Sequence, residues 1–167
     1  MKIAEIEKLT KNLFRLRWNP FHEESFADPN LRFPGVYLLA YTGKNLNGQK
    51  IDERNILYVG MSNAQGGVRS RLIQFRNGLE KYDNHSGAMR FYREYQGNKP
   101  FSLLKGKRKF FYVALSVECI SEKSRLTAQD FRELGHVTCL EYYAIARIKE
   151  KAGRPPPLNK FGKRPNT

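Results

Sequence analysis

The sequence predicts a small mixed domain of the α+β type, a central antiparallel sheet of three strands flanked by helices. Three observations point there. Short apolar, β-prone runs recur at 35–41, 56–60 and 110–117, each bounded by glycine or polar turn residues. A long tract from Thr127 to Lys151 repeats apolar residues at helical spacing. The chain has 167 residues, enough for one domain with a real core but not for two.

Taken in order, Ile3, Ile6, Leu9, Leu13 and Leu16 recur every three or four positions and predict an amphipathic helix over 3–17. Trp18-Asn19-Pro20 ends it, because proline lacks the amide donor and restrains the residue before it. Residues 19–34 carry three prolines and read as loop. Gly35-Val36-Tyr37-Leu38-Leu39-Ala40-Tyr41 is a buried strand by length and boundaries, and Ile56-Leu57-Tyr58-Val59-Gly60 is the second. The polar stretch 43–55 joins them as a long hairpin connection. A helix is expected from Val68 to Phe75 with Val68, Leu72 and Phe75 on one face. Another is expected over 85–96 with Met89, Tyr92 and Tyr95 inward and Arg90 and Arg93 outward. The basic turn Lys105-Gly106-Lys107-Arg108-Lys109 leads into the third strand, Phe110 to Val117. In the final helix Phe131, Leu134, Val137, Leu140, Ala144, Ile145 and Ile148 are expected to face the sheet. Gly153 ends it and Pro155-Pro156-Pro157 forbids continuation.

Composition narrows the function classes. Hydrophobic residues at 40 % and aromatics at 13 % argue against wholesale disorder. No apolar run approaches the roughly 18–20 residues of a membrane span, and the charged N-terminus lacks the apolar centre of a signal peptide. Cys119 and Cys139 cannot make a metal finger and read as reduced thiols, so a cytoplasmic protein without a membrane partner is expected. Thirty Lys plus Arg against sixteen Asp plus Glu gives +14. Self-repulsion of that size opposes compaction, and polyanion binding is the usual compensation.

Two tyrosines stand in similar places in adjacent strands, each in a tripeptide with glycine: Gly35-Val36-Tyr37 and Tyr58-Val59-Gly60. Paired strands can bring both phenols to one face, and the glycines would let a sugar-phosphate backbone approach the main chain. After a polar loop comes Val68-Arg69-Ser70-Arg71-Leu72. Glu141 follows in Cys139-Leu140-Glu141-Tyr142-Tyr143, and Asn159 in Pro157-Leu158-Asn159. With these elements in this order, the chain resembles the GIY-YIG nuclease family over roughly residues 34–160.

The resemblance implies a nuclease domain at 34–160, an N-terminal helix-and-loop extension at 1–33 and a basic tail at 161–167. It implies a metal-dependent DNA endonuclease that hydrolyses phosphodiester bonds by tyrosine-assisted attack of water. Glu141 would hold a single Mg²⁺ or Mn²⁺ through hard oxygen contact. Arg71 would clamp phosphate oxygens with its planar fork, with Arg69 as a second backbone contact. Tyr37 or Tyr58 would serve as the base or orient the water, its pKa lowered by the metal and guanidinium. Asn159 would fix the site by hydrogen bonding.

Two positions depart from the family pattern. Phe75 stands where many members carry histidine, and Met61 where many carry lysine. His85 could supply the missing imidazole from the start of the next helix, or Ser62 and Asn63 could contact phosphate as neutral donors. Arg90, Arg93, Lys107, Arg108 and Lys109 are candidates for DNA backbone contacts, which position rather than specify. The long insert between the tripeptides favours a restriction or phage-type enzyme. A structure-specific repair or recombination nuclease is the rival within the class, and a binding module without catalysis is the rival outside it. One site per chain makes a homodimer an option for cutting both strands.

Overall fold

Alternation along Gly35–Thr42 sends Val36, Leu38 and Ala40 to one face of a sheet and Tyr37, Leu39 and Tyr41 to the other. The computed structural model describes residues 3–82, 85–104, 106–120, 122 and 125–160. The expected tail at 161–167, Asp83-Asn84 and Lys105 lie outside these. In chain order the elements are α1 (Ile3–Leu13), β1 (Asn19–Pro20), β2 (Gly35–Thr42), β3 (Ile56–Ser62), α2 (Gly67–Lys81), α3 (Ser86–Tyr95), β4 (Lys109–Ser116) and α4 (Ala128–Ala152), with short 3₁₀ turns between some of them.

The sheet has four antiparallel strands in the order β1-β4-β2-β3, not three. The extra strand is the two-residue β1, which pairs Asn19 with Tyr112 and Pro20 with Phe111. Proline donates no ladder bond, so it sits where such residues are tolerated, on an edge. The rest of the expected loop contains two 3₁₀ turns, Glu23–Ala27 and Pro29–Arg32, the second capped by the Asp28 side chain on Asn30 N–H at 2.9 Å.

Helices cover both faces. Leu13, Phe14 and Trp18 join Val137, Leu140, Ala144, Ile145 and Ile148 of α4 over Val36, Leu38 and Val59. The N-terminal segment is thus packed into the same core as the strands. On the other face, Val68, Leu72, Phe75 and Leu79 of α2 and Ala88 and Phe91 of α3 pack over Tyr37, Leu39, Tyr58 and Phe110. α4 starts on a capping box in which Thr127 and Asp130 satisfy each other's amides, and ends on Gly153 at φ 74°. Phe131 departs from the expected inward stripe and is 63 % exposed. It lies in the first turn of α4, ahead of Val137, the first α4 residue in the apolar core. In α3 the buried face is Gly87, Ala88 and Phe91, whereas Tyr95 is exposed. No helix among the described residues is long and apolar enough to cross a membrane.

Candidate active site

Register brings the two tripeptides together. Tyr37 of β2 lies opposite Gly60 of β3, and Leu39 lies opposite Tyr58. Both phenols therefore project from one face, with ring centroids 6.1 Å apart. The glycines serve the protein's own packing rather than an incoming backbone. A Cβ on Gly60 would stand 2.4 Å from Cζ and Oη of Tyr37, and one on Gly35 would stand 2.3 Å from the Leu115 carbonyl oxygen in β4. Gly60 is the recess in which the Tyr37 phenol lies.

His85 completes this centre. It is 1 % exposed and stands at the N-cap of α3. Its Nδ1 accepts from the amides of Gly87 and Ala88 at 3.2 and 3.3 Å, which places the ring proton on Nε2. Nε2–H then donates to the Tyr37 phenolic oxygen at 2.8 Å. Burial, with the nearby Arg71 charge second, drives the His85 pKa from 6.5 down to about 3, so the imidazole is neutral over the physiological range. Phe75 is the apolar floor on which this arrangement rests, 5.1 Å from the His85 ring and 6.1 Å from Tyr58.

Arg71 comes from the second turn of α2, close enough for its charge to act on the Tyr37 phenol. Its Nη1 donates to Gln74 Oε1 at 2.7 Å. Glu141, half-buried in mid-α4, is close enough for its charge to act on both tyrosines and to feel Arg71. Burial raises its carboxyl pKa, and Arg71 partly offsets that. Tyr37 is fully buried, and its pKa is pushed well above 10 by that burial, then by Tyr58, against the opposing pull of Arg71. Tyr58 is shifted upward for the same first reason, with Glu141 next. The expected lowering of a phenol by the guanidinium is thus outweighed by desolvation.

Asn159 acts as a strand in miniature. Its Oδ1 accepts from Val59 N–H and its Nδ2 donates to Val59 C=O, each at 2.8 Å, while Leu158 N–H donates to Leu57 C=O at 3.1 Å. The segment after α4 thereby closes the free edge of β3 beside Tyr58. Arg90 is half-buried and donates to the Leu158 carbonyl, so it anchors this segment.

The remaining candidates lie further out. Ser62 is 3 % exposed, which withdraws its hydroxyl from the surface; that oxygen accepts from the Ala64 amide at 3.4 Å. Asn63 donates to Thr138 Oγ1 at 3.1 Å and ties the loop after β3 to α4. Arg69 is half-buried, with Nε unpartnered among the described residues. Arg93, Lys107, Arg108 and Lys109 are exposed. Sequence reasoning missed Gln74, Ser86, which favours the charged form of the Tyr58 phenol, and Gly87, where a Cβ would stand 2.9 Å from the Tyr58 ring. Of these only Gln74 carried a signal, its i+3 spacing from Arg71 on a helix.

No group of three or more His, Cys, Asp or Glu residues poised to hold a metal occurs among the described residues. Glu141 alone fits the way Mg²⁺ is often held, through one or two carboxylates completed by water and substrate phosphate. No protein-family model, no curated protein and no solved structure matches this chain.

Proposed function

We propose that the chain is a metal-dependent DNA endonuclease of the GIY-YIG type. The observation that carries this reading is the convergence of Tyr37, Tyr58, Arg71, His85 and Glu141, which are scattered from β2 to α4, on one centre. His85 answers the departure at Phe75, because it supplies from α3 the imidazole that α2 lacks.

The phenolic oxygen of Tyr37 accepts from His85 Nε2–H and feels the Arg71 charge. Both favour its phenolate, while burial keeps the phenol protonated in the free protein. A DNA phosphate drawing Arg71 onto its non-bridging oxygens would open a path from Tyr37 to water. Along that path the Tyr37 phenol would first release its proton to solvent, and the resulting phenolate, its charge held by the His85 Nε2–H, would then take the proton of the attacking water. Tyr58 and Ser86 would orient the same water or the phosphate. Glu141 is the residue that would hold Mg²⁺ or Mn²⁺, whose charge offsets that of the phosphate and the leaving oxygen when bound. The +14 net charge supports a polyanionic substrate. One such centre per chain cuts one strand at a time, so double-strand cleavage would take two copies or two successive nicks.

Full burial of Tyr37 favours the second reading, a nucleic-acid-binding module of the same architecture without cleavage. Plasmid incubated with Mg²⁺, Mn²⁺ or EDTA, beside Glu141→Ala, separates the two. Metal-dependent nicking lost in the variant supports the nuclease. Intact plasmid with salt-sensitive binding supports the module.

A further inference from the structure

α4 carries one face that the chain's own packing leaves open. Phe131, Gly135, Cys139, Tyr142 and Ala146 follow one another at steps of three or four and so share a side of the helix. The opposite side, with Val137, Leu140, Ala144 and Ile148, is in the core. Phe131 is 63 % exposed and Tyr142 62 %, although both are large rings. Gly135 is the odd residue. A glycine inside a helix destabilises it relative to alanine, and a Cβ there would meet nothing within 4 Å, so no neighbour among the described residues explains its small size.

Charge singles out the same face. Among the described residues exposed on α4 from Phe131 to Ala146, Arg132 alone is charged, in a chain of net +14. A second copy can approach here against little self-repulsion. Arg132 and Glu150, both exposed, stand about five helical turns apart and so lie along one flank of the stripe, with opposite charges towards its two ends. An antiparallel copy brings each end of that flank towards the opposite charge.

The large and small members of the stripe are spaced for such a copy. Phe131 set against Ala146 of a second chain, and Gly135 set against its Tyr142, share one midpoint, between Thr138 and Cys139. Each exposed ring then seats on a small residue, and the symmetry repeats both contacts. A two-fold axis that pairs helices antiparallel is normal to the plane holding them, so what lies above that plane in one copy lies above it in the other. Glu141 is about a third of a turn round α4 from the stripe. Both copies of Glu141, each with its tyrosine centre, therefore open to the same side.

We propose that α4 is a homodimer interface, in which Phe131 and Tyr142 of each copy pack onto Ala146 and Gly135 of the other. Its purpose rests on the nuclease reading, because two centres on one side of a dimer can cut both strands of one duplex. A single helix pair is a small interface, so the dimer is reversible, with a Kd of about micromolar order.

The test is sedimentation velocity of the full chain without DNA, from about 1 to about 100 μM and in about 0.5 M salt, which screens the net charge. Wild type shifts from monomer to dimer mass across that range. Gly135→Gln fills the seat of Tyr142 and Phe131→Ser removes one ring, and each raises the dimer Kd at least about tenfold. Both variants stay folded, since both side chains point away from the core, and dilute Gly135→Gln melts no lower than wild type. Cys139 gives a second reading. Its two copies would flank the axis with Cα atoms roughly 5–7 Å apart, within disulfide reach. Copper phenanthroline, taking two electrons and two protons from the thiol pair, links the dimer in wild type and in Cys119→Ser but not in Cys139→Ser. Monomer mass throughout overturns the proposal, as does a dimer that both stripe variants leave unchanged or that does not link through Cys139. Mass is read without cutting, so a chain that dimerises and never cleaves refutes the nuclease reading and leaves the interface standing.

Discussion

His85 makes the acid stability of this protein a quantitative matter. In the fold its Nδ1 is occupied by two amide donors and its Nε2–H by Tyr37, so a second ring proton has no acceptor. Its pKa is about 3 in the fold against 6.5 for a free histidine. Between those values the unfolded chain binds the proton and the folded chain does not, so stability falls as pH falls. The contribution is fully present above pH 6.5, declines down to about pH 3, and is level below that. At about 1.36 kcal/mol per pH unit, moving to pH 4.5 removes on the order of 2–3 kcal/mol. His85→Asn is the informative comparison. Asparagine keeps the capping acceptor for Gly87 and Ala88 but removes the titrating ring. Urea unfolding of both proteins from pH 7.5 to 4.5 should show wild type losing on the order of 2–3 kcal/mol more than the variant. Carboxylates titrate in both and cancel. Parallel curves would refute the tautomer and the buried neutral imidazole together.

Three further perturbations follow from the packing. Gly60→Ala puts a methyl 2.4 Å from the fully buried Tyr37 phenol, so a loss of about 1–3 kcal/mol in thermal unfolding is expected, with a large drop in nuclease activity. Asn159→Ala removes both bonds to Val59 and should cost about 1–3 kcal/mol, read by urea titration; a neutral result would deny its role as an edge clamp. Phe131→Ser should leave stability within about 0.5 kcal/mol in the same titration, because its side chain is exposed.

The three longer strands were legible because each is a run of aliphatic and aromatic residues with a glycine or polar boundary. β1 was not, since two residues with a proline carry no alternation and are held only by pairing with Tyr112 and Phe111. α2 runs on to Lys81 past Asn77-Gly78, a breaker pair that packing of Leu79 overrides. The inward face of α3 escaped a hydrophobicity count because Gly87 and Ala88 are buried for their small size, to admit Tyr58. In the site, the positions of Tyr37, Tyr58, Arg71 and Glu141 could be read from motif order. The hydrogen bond from His85 to Tyr37, 48 residues apart, could only be guessed, because it depends on where the 67–85 segment returns. The glycines were seen but their occupant was not, since register decides that Gly60 faces Tyr37.

The most direct test of the nuclease reading is plasmid cleavage by Tyr37→Phe beside wild type in Mg²⁺, with DNA binding measured in the same salt. Removing one oxygen keeps the ring in its Gly60 recess and deletes the acceptor of His85 beside the Arg71 charge. Wild type should nick or linearise the plasmid, and Tyr37→Phe should bind DNA within a few-fold of wild type while cutting at least about a hundredfold more slowly, the scale of a lost general base. Equal cutting by the two proteins would contradict the role given to the Tyr37 phenol and to the centre built around it.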